Sequence, residues 1–310
     1  MHVVITGGLG FIGSRIGIRL LSEGHKVTVL DNLTTPVTKT LPGTDVVRVD
    51  LKDAAAVSAV KLPEADCLMH LAGPSSGMAS AKDPVGTIAD GYRLTYNALE
   101  LAARLGARRV VFASSMNVYG NVRRDQNPVR EDLPCIPISH YAIGKFANER
   151  LVEVFCTERG ISFVNLRMFN VYGPGQNLAR TDQGLVSIFT AMLMESPKAV
   201  ARGSLDRFRD IVHIDDVVTA WVLCATQNGT NGAFNVGSGE AITVRELILT
   251  IADELGLGKK LEIEVADGTP GDLFGICADV SALRAAAGFS PTIAPSEGIR
   301  QFVRWAVKQS

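Results

Sequence analysis

The sequence of 310 residues predicts an α/β fold, a doubly wound parallel sheet with a smaller, mostly C-terminal lobe. In the first half of the chain, short apolar runs alternate with longer segments of helical periodicity. The runs are apolar throughout, which is typical of parallel strands covered by helices on both faces. A glycine-rich turn, TGGLGFIGS at 6–14, follows the first run and opens the first helix, as in sheets that bind dinucleotides.

The individual elements follow from this alternation. The six predicted strands of the first half are short and apolar, and they lie at 2–6, 26–31, 45–49, 67–71, 109–114 and 162–167. The helices predicted between them lie near 12–23, 54–60, 91–105 and 141–159. A helix between two strands of one sheet allows the strands to run parallel, which gives the Rossmann arrangement.

The pattern changes after Arg167, where residues 170–208 become rich in Gly, Pro and polar side chains. The elements predicted from there on are a helix near 185–194, a strand at 210–214, a helix at 215–227, strands at 233–236 and 261–265, and further helices up to 310. This change predicts a second lobe that caps the carboxyl ends of the strands, where ligands of such sheets bind.

Two domains are therefore expected. The Rossmann domain should comprise residues 1–168 with 210–237. The substrate-binding lobe should comprise residues 169–209 with 238–310.

The composition disfavours several classes of function. A net charge of −1 means that the chain lacks the excess of basic residues that binds nucleic acid or an anionic membrane. Aromatic residues make up 6% of the chain, which is few for a surface that stacks bases. No His/Cys cluster has metal-ligand spacing, so no metal site is predicted. We find no apolar run of membrane-spanning length and no signal-like segment before the first strand. We expect a soluble, cytoplasmic protein whose five cysteines are buried thiols.

Three glycines define the turn after the first strand. Gly7 permits a tight turn, Gly10 lets the backbone approach a pyrophosphate, and Gly13 lets the helix pack closely on the sheet. The first helical residues, Phe11 and Ile12, would offer backbone N–H groups to the anion. A glycine-rich turn without a ligand is the alternative, but the position between a strand and a helix favours a dinucleotide.

Asp31 ends the second predicted strand, where the ribose hydroxyls of a dinucleotide would lie. Its carboxylate would accept hydrogen bonds from them and repel a 2′-phosphate, so the predicted cofactor is NAD rather than NADP. Asp50 and Leu51, after the third strand, either lie along the adenine or form an ordinary helix cap. The remaining expected cofactor contacts are Asn32 and the segment Leu71, Ala72 and Gly73.

A tyrosine and a lysine lie one helical turn apart at Tyr141 and Lys145, so their side chains share a helix face. A neighbouring ammonium favours the phenolate, which makes a tyrosine usable as a base near neutral pH. Ser115, after the fifth strand, could hydrogen-bond the same substrate oxygen. The alternative is that Tyr141 and Lys145 lie on a solvent-exposed helix face. The preceding strand and the adjacent serines Ser114 and Ser115 favour a catalytic role for Ser115, Tyr141 and Lys145.

The chain resembles the extended short-chain dehydrogenase/reductases, and among them the nucleotide-sugar epimerase/dehydratase family typified by UDP-glucose 4-epimerase. The resemblance runs nearly end to end. The motifs that carry it are TGGLGFIGS (6–14), HLAG (70–73), SSMNVYG (114–120), YAIGK (141–145), LRMFNVYGPG (166–175), RDIVHIDDV (209–217), FNVGSGEAITVRELI (234–248) and PGD (270–272).

The resemblance implies a nucleotide-diphosphate sugar as substrate. The substrate contacts that it implies are Ser75, Ser115, Asn117, Tyr141, Asn170, Arg209 and Asp272. It also implies that Phe169 packs by the nicotinamide and that Ser114 and Lys145 contact the cofactor. A salt bridge to Asp210 or Asp215 is the alternative role for Arg209. His70 and His213 are interpreted as structural.

Three positions depart from the family pattern. Dehydrating members usually carry an acidic pair where this chain has Met116 and Asn117, and neither residue can act as acid or base there. Gly91 replaces a usual asparagine, for which Asp90 or Asn97 could compensate. Thr269 replaces a usual arginine, for which Arg202 or Arg207 could substitute.

The sequence thus predicts an NAD-dependent nucleotide-sugar 4-epimerase. A dehydratase or keto-sugar reductase of the same family, and a non-catalytic NAD-binding regulator, remain alternatives, and the nucleotide is open between UDP, GDP, CDP and dTDP. A homodimer is expected because two helices carry apolar residues on more than one face, including Leu94, Leu99, Leu101, Leu105, Leu151, Val152 and Phe155. Full burial within one chain is the alternative.

Overall fold

The computed structural model describes residues 1–75, 77–179, 184–227, 229–268 and 274–309. The described strands are β1 (His2–Thr6), β2 (Lys26–Asp31), β3 (Asp45–Arg48), β4 (Cys67–His70), β5 (Arg109–Ser115), β6 (Ser162–Met168), β7 (Asn170–Tyr172), β8 (Lys198–Arg202), β9 (Phe208–His213), β10 (Gly232–Val236), β11 (Ala241–Thr243), β12 (Glu262–Ala266) and β13 (Gly275–Ile276). Seven of them form one sheet in the order β10-β6-β5-β4-β1-β2-β3.

The described helices surround this sheet and build the lobe. They are α1 (Phe11–Ser22), α2 (Ala54–Ala59), α3 (Gly77–Lys82), α4 (Pro84–Arg104), α5 (His140–Arg159), α6 (Leu185–Glu195), α7 (Ile214–Thr226), α8 (Val244–Glu254), α9 (Ser281–Ala287) and α10 (Pro295–Val307). Single 3₁₀ turns lie at Met116–Tyr119, Arg124–Gln126 and Gly258–Lys260.

Every pairing within the large sheet is parallel. The chain leaves β3 at one edge and returns to β4 beside β1, so the direction of winding reverses between β1 and β4. Ligands of open α/β sheets bind at such a reversal, beyond the carboxyl ends of the strands. The predicted doubly wound parallel sheet is therefore confirmed.

Two apolar cores cover the faces of this sheet. One contains Ile16 and Leu20 from α1 with Val217 and Trp221 from α7. The other contains the inner faces of α4 and α5, with Leu99, Leu101, Val152 and Phe155. The α5 helix lies over β5 and β6, which places its buried face against the ends of those strands.

A third core lies under α6, α8 and α10 and builds the lobe. Here β9 pairs with β11, β13 and β7 in a smaller sheet, and β12 pairs with β8. The predicted strand at 210–214 is therefore β9 of the smaller sheet, and not a strand of the large one. The division of the chain into two domains stays a prediction.

Helix α4 begins at Pro84, seven residues before the predicted start at Gly91. The side chain of Asp83 accepts a hydrogen bond from the Gly86 backbone N–H, and Pro84 is the first helical residue. An N-cap aspartate followed by proline is a favourable helix start. The Asp-Pro pair was thus the signal for this boundary, and apolar periodicity alone missed it.

The five cysteines are free thiols. Four of them are buried, as predicted, whereas Cys135 is partly exposed. Among the described residues, no grouping of His, Cys, Asp and Glu could hold a metal ion. A search of the same residues for a helix that could span a membrane finds none.

Candidate functional site

The glycine turn joins β1 to α1 by close backbone packing. Gly7 has φ = +67°, and its N–H donates to the Leu30 carbonyl at 2.8 Å. A Cβ on Gly13 would lie 2.5 Å from the Gly7 oxygen, and one on Gly7 would lie 2.9 Å from the Ala72 nitrogen. Larger residues at these two positions would push α1 or the segment after β4 away.

Gly10 is the N-cap of α1 and has no side chain to accept hydrogen bonds from the first turn of the helix. The atom nearest to a Cβ built there is the Gly7 oxygen, at 3.2 Å. Phe11 and Ile12, the next residues, are partly exposed. A helix start without a side-chain cap leaves its backbone N–H groups available to an anion, so this turn fits a pyrophosphate.

Asp31 lies at the end of β2, and its side chain is directed at the glycine turn. Its carboxylate accepts from the Leu9 N–H at 3.1 Å and from the Leu33 N–H at 2.8 Å. A carboxylate has about four lone-pair positions, so it can accept further hydrogen bonds from a ribose. Asn32 is exposed beside it and accepts from the Thr34 N–H.

Of the segments that follow β3 and β4, the one after β4 lies against the glycine turn. Asp50 accepts from the Lys52 N–H, whereas Asp53 caps α2, so the helix-cap alternative for Asp50 is wrong. Leu51 is buried in the core between the sheet and α4. The segment Leu71, Ala72 and Gly73 follows β4 directly, and Ser75 is exposed just after it.

The side chains of Ser115, Tyr141 and Lys145 meet where β5 ends. Ser139 caps α5, so Tyr141 lies in its first turn. Burial raises the pKa of the Tyr141 phenol, and the nearby Ser115 hydroxyl opposes this shift. The predicted trio therefore lies together in the structure.

Lys145 extends from the same face of α5, and its Nζ donates to the Ala113 carbonyl at 2.8 Å. The Nζ atom lies 5.9 Å from the centre of the Tyr141 ring. Burial lowers the pKa of Lys145 to about 8, and the negative charge of Glu149 opposes this shift. A cation so close to the phenol favours its ionised form.

A small cavity of about 10 Å³ opens beside this pair. Its lining consists of Ala72, Gly73, Pro74, Thr87, Gly91, Thr95, Phe112, Tyr141, Gly144, Lys145 and Asn148. The cavity thus joins the segment after β4, expected to follow the cofactor, to the tyrosine and lysine of α5.

The expected diphosphate contacts lie on the lobe side. Asn170 donates to the Asp210 carbonyl at 2.8 Å, and its Nδ2 lies 3.8 Å from the Met116 sulfur. Arg209 donates to the carbonyls of Phe208 and Phe274. Burial and the nearby charge of Arg207 lower the pKa of Arg209 to about 10, so it stays a cation at neutral pH.

A larger cavity of about 370 Å³ adjoins this arginine and is lined by Val122, Arg123, Arg124, Phe208, Phe274 and Gly275. Arg207 and Arg202 are joined by a side-chain-to-carbonyl hydrogen bond. Asp272 and Thr269 lie outside the described residues.

The comparisons with known proteins agree with this geometry. Residues 3–237 match the sequence model of the NAD dependent epimerase/dehydratase family. The chain belongs to this family. A UDP-glucose 4-epimerase of Mycolicibacterium smegmatis is 32% identical over 98% of both chains.

Two solved structures of the epimerase/dehydratase family are similar over nearly the whole chain. The UDP-glucose 4-epimerase of Thermotoga maritima with UDP-glucose superposes with a TM-score of 0.92 at 29% identity, covering 100% of this chain and 99% of that one. The UDP-glucose 4-epimerase of Thermus thermophilus in complex with NAD has a TM-score of 0.87 at 34% identity, covering 98% of each chain.

Three further residues that were expected to contact the substrate or the cofactor are buried or hydrogen-bonded within the protein, and their roles stay predictions. Asn117 is directed at Ser115, to whose hydroxyl its Nδ2 donates at 3.2 Å. Phe169, expected beside the nicotinamide, is buried, and its N–H donates to the Val236 carbonyl. Ser114, expected to contact the cofactor, is also buried, with its hydroxyl bonded to Glu149.

The side chain that approaches Gly91 most closely is Asn148, which was not among the predicted compensating residues. A Cβ on Gly91 would lie 3.3 Å from the Asn148 amide nitrogen. Asp90 instead pairs with Lys52, and Asn97 donates to the Leu51 carbonyl. Both suggested residues thus have other partners, and the polar group nearest to the Gly91 position is the Asn148 amide.

Both histidines that were interpreted as structural are buried. His70 is hydrogen-bonded to Thr6 at 2.7 Å and to Thr95 at 3.3 Å, and burial lowers its pKa to about 3. The His213 Nδ1 accepts from the Asp215 N–H at the start of α7. A neutral, hydrogen-bonded His70 is expected to contribute to packing and not to proton transfer.

Proposed function

We propose that this chain is an NAD-dependent nucleotide-sugar 4-epimerase. The observation that carries the proposal is the convergence of Ser115, Tyr141 and Lys145 beside a glycine turn that fits a dinucleotide. Names of similar proteins support a UDP-sugar as the substrate. NAD supplies a hydride acceptor and donor when it is bound.

In this proposal, the Gly7–Gly13 turn binds the cofactor pyrophosphate and Asp31 binds a ribose. Leu71, Ala72 and Gly73 lie along the cofactor. Ser75 and Asn117 are proposed to lie near the sugar.

Tyr141 accepts the proton of the C4 hydroxyl as its phenolate, and Ser115 donates a hydrogen bond to the same oxygen. The Lys145 ammonium stabilises the phenolate before the proton is accepted and after it is returned. Once the 4-keto sugar has turned over, so that hydride can return to the opposite face of C4, Tyr141 gives the proton back to the C4 oxygen.

The sugar must turn while its nucleotide stays in place, so the diphosphate needs a separate binding site. Arg209 and Arg207 bring two cations close together; burial, and after it the repulsion from Arg207, lowers the pKa of Arg209. A diphosphate would relieve that repulsion, and a planar guanidinium can bind two of its oxygens. We therefore assign diphosphate binding to Arg209, with Asn170 beside it and Asp272 as a further contact.

Met116 and Asn117 favour epimerisation over dehydration. Met116 is 7% exposed and touches Asn170, while Asn117 is bonded to Ser115. A thioether and an amide cannot protonate a leaving hydroxyl or remove the C5 proton. Epimerisation needs no acid or base beyond Tyr141.

We also infer a homodimer, although the residues that suggested one do not support it. Leu94, Leu99, Leu101, Leu105, Leu151, Val152 and Phe155 pack within the second core of one chain. Other apolar side chains on α4 and α5 are exposed, namely Val85, Tyr92, Tyr96, Ile143 and Val154. A second copy would cover them. Free cysteines are typical of a reducing compartment, which supports a cytoplasmic location.

The test is to incubate the purified protein with UDP-, GDP-, CDP- and dTDP-hexoses and to identify the products by NMR. The proposal predicts one C4 epimer from at least one of them. A 4-keto-6-deoxy product would instead identify a dehydratase, and bound NAD without any conversion would favour a regulator.

A further inference from the structure

A buried carboxylate that the mechanism above does not use lies one helical turn beyond Lys145. Glu149 is 3% exposed, and its carboxylate accepts two hydrogen bonds from the Arg167 guanidinium, at 2.9 and 3.0 Å. It also accepts a hydrogen bond from the Ser114 hydroxyl. Burying a charged group costs free energy, so this ion pair is a candidate for a specific role in the site.

The carboxylate belongs to an ordered set of contacts between α5 and β5. Tyr141, Lys145 and Glu149 follow at one-turn spacing and share a face of the helix. Two of them bind successive residues of β5: Lys145 donates to the Ala113 carbonyl, and Glu149 accepts from the Ser114 hydroxyl. These two hydrogen bonds hold the helix face that carries Tyr141 on the end of the strand.

Arg167 anchors the set to the next strand. This residue of β6 also donates to the Tyr119 hydroxyl at 3.1 Å, and Tyr119 donates to Asn235 at 2.7 Å. A network that spans β5, β6 and β10 fixes the carboxylate in one place. Because its position is fixed, the Glu149 carboxylate exerts a constant electrostatic effect on the residues around it.

Among the described residues around Lys145, Glu149 is the one whose charge favours the ammonium form of the lysine. On α5, Glu149 opposes the lowering of the Lys145 pKa by burial. From β4, His70 is neutral at physiological pH, since its pKa is lowered to about 3. From β6, the Arg167 cation is held against the Glu149 carboxylate. Tyr141 is the partner whose phenolate the ammonium stabilises.

We propose that Glu149 is a positioning residue for the reaction: it holds the Tyr141–Lys145 face of α5 on the end of β5 and keeps Lys145 in its ammonium form. The catalytic part of this inference rests on the proposed epimerase function. The effect on Lys145 is a property of the folded protein and can be measured without a substrate.

The experiment compares Glu149→Gln with Glu158→Gln in the NAD-loaded protein. Glu158 lies on the same helix with two-thirds of its side chain exposed, so it controls for the loss of one charge. Lys145 is titrated through the NMR shift of its Cε carbon in lysine-labelled protein, assigned with Lys145→Arg. The inference predicts that the pKa of Lys145 falls by about one unit or more in Glu149→Gln and stays at the wild-type value in Glu158→Gln.

Glu149→Gln leaves Arg167 buried without its counter-ion and so threatens folding. The double variant Glu149→Gln/Arg167→Met removes both charges, so neither buried side chain is left as an unpaired ion. In it the pKa of Lys145 should lie between the wild-type and single-variant values, because the opposing cation is gone as well. An unchanged pKa in either folded variant would overturn the inference.

The pH dependence of turnover gives a second measurement, which a purely structural role of Glu149 would leave unchanged. The alkaline limit of activity should shift to lower pH together with the pKa of Lys145. If the wild-type protein converts none of the nucleotide sugars yet the Lys145 titration shifts as predicted, the proposed function fails and the effect of Glu149 on Lys145 stands. A normal turnover profile with an unshifted titration would reject the role of Glu149 alone.

Discussion

The ammonium nitrogen of Lys145 lies 2.8 Å from the carbonyl oxygen of Ala113. This bond ties the helix that carries Tyr141, the proposed general base, to the strand that ends in Ser115. It directs the lysine along the buried side of α5, with its nitrogen 5.9 Å from the centre of the Tyr141 ring. The cation is thereby held beside the phenol whose ionised form it stabilises.

Replacing Tyr141 by phenylalanine should abolish turnover and leave NAD binding nearly intact. The ring would still fill its position, but the oxygen that exchanges the C4 proton would be lost. We expect activity to fall by about a thousandfold or more. NMR of the product sugar measures the loss, and the NAD released on denaturation serves as the control. Epimerisation at a near-normal rate would remove Tyr141 from the mechanism.

Activity should decline as the pH rises through about 8. Burial lowers the pKa of Lys145 to about 8, so its ammonium is present below that pH and is lost above it. With the ammonium gone, the Tyr141 phenolate is less stable. Lys145→Ala should weaken both catalysis and NAD binding, whereas Lys145→Arg should extend activity to higher pH if it folds in place. A pH–rate profile that stays flat from about 7 to about 10 would contradict this role.

The purified protein should carry NAD(H) and should prefer NAD over NADP. Asp31 offers a carboxylate at the end of β2, where a 2′-phosphate would be repelled. Asp31→Ser should weaken NAD binding by about ten- to a hundredfold, as expected for loss of hydrogen bonds to a charged group. Calorimetry with both dinucleotides measures the preference. Tighter binding of NADP by the wild-type protein would show that this interpretation of Asp31 is wrong.

The protein should be a dimer at micromolar concentration, because exposed apolar side chains lie on both α4 and α5. Tyr92 and Tyr96 stack on each other with ring centres 6.1 Å apart, and Tyr92 is 51% exposed. Ile143→Glu together with Val154→Glu should shift light scattering from the dimer mass to the monomer mass. Ile18→Glu, which alters an exposed apolar residue on α1, is the matched control. A monomer mass for the wild-type protein would contradict the assembly.

Much of this architecture was predictable because local patterns determined it. The apolar runs located the strands of the large sheet, and the Gly7, Gly10 and Gly13 spacing located the turn. Tyr141 and Lys145 were predictable since they share a helix face with fixed spacing.

Contacts between segments that are distant in the chain were harder to predict from the sequence. Glu149 follows the same one-turn spacing as Tyr141 and Lys145, which is a signal in the sequence. Its partners Ser114 and Arg167 lie on two other elements, and only the packing of α5 on β5 and β6 brings them together. The same holds for Asn148, whose amide approaches Gly91 from another helix. The pairing of β9 with the smaller sheet likewise depends on the lobe as a whole.

The central claim is that one tyrosine moves the C4 proton while the hydride leaves and returns at the same carbon. The most direct measurement uses UDP-glucose with deuterium at C4, followed by NMR of the products in ordinary water and, in parallel, of unlabelled substrate in D₂O. We predict the C4 epimer alone, with the C4 deuterium retained and no solvent deuterium at C5. Solvent deuterium at C5, or a 4-keto-6-deoxy product, would contradict the account and show that another side chain supplies the acid and base chemistry that Met116 and Asn117 lack.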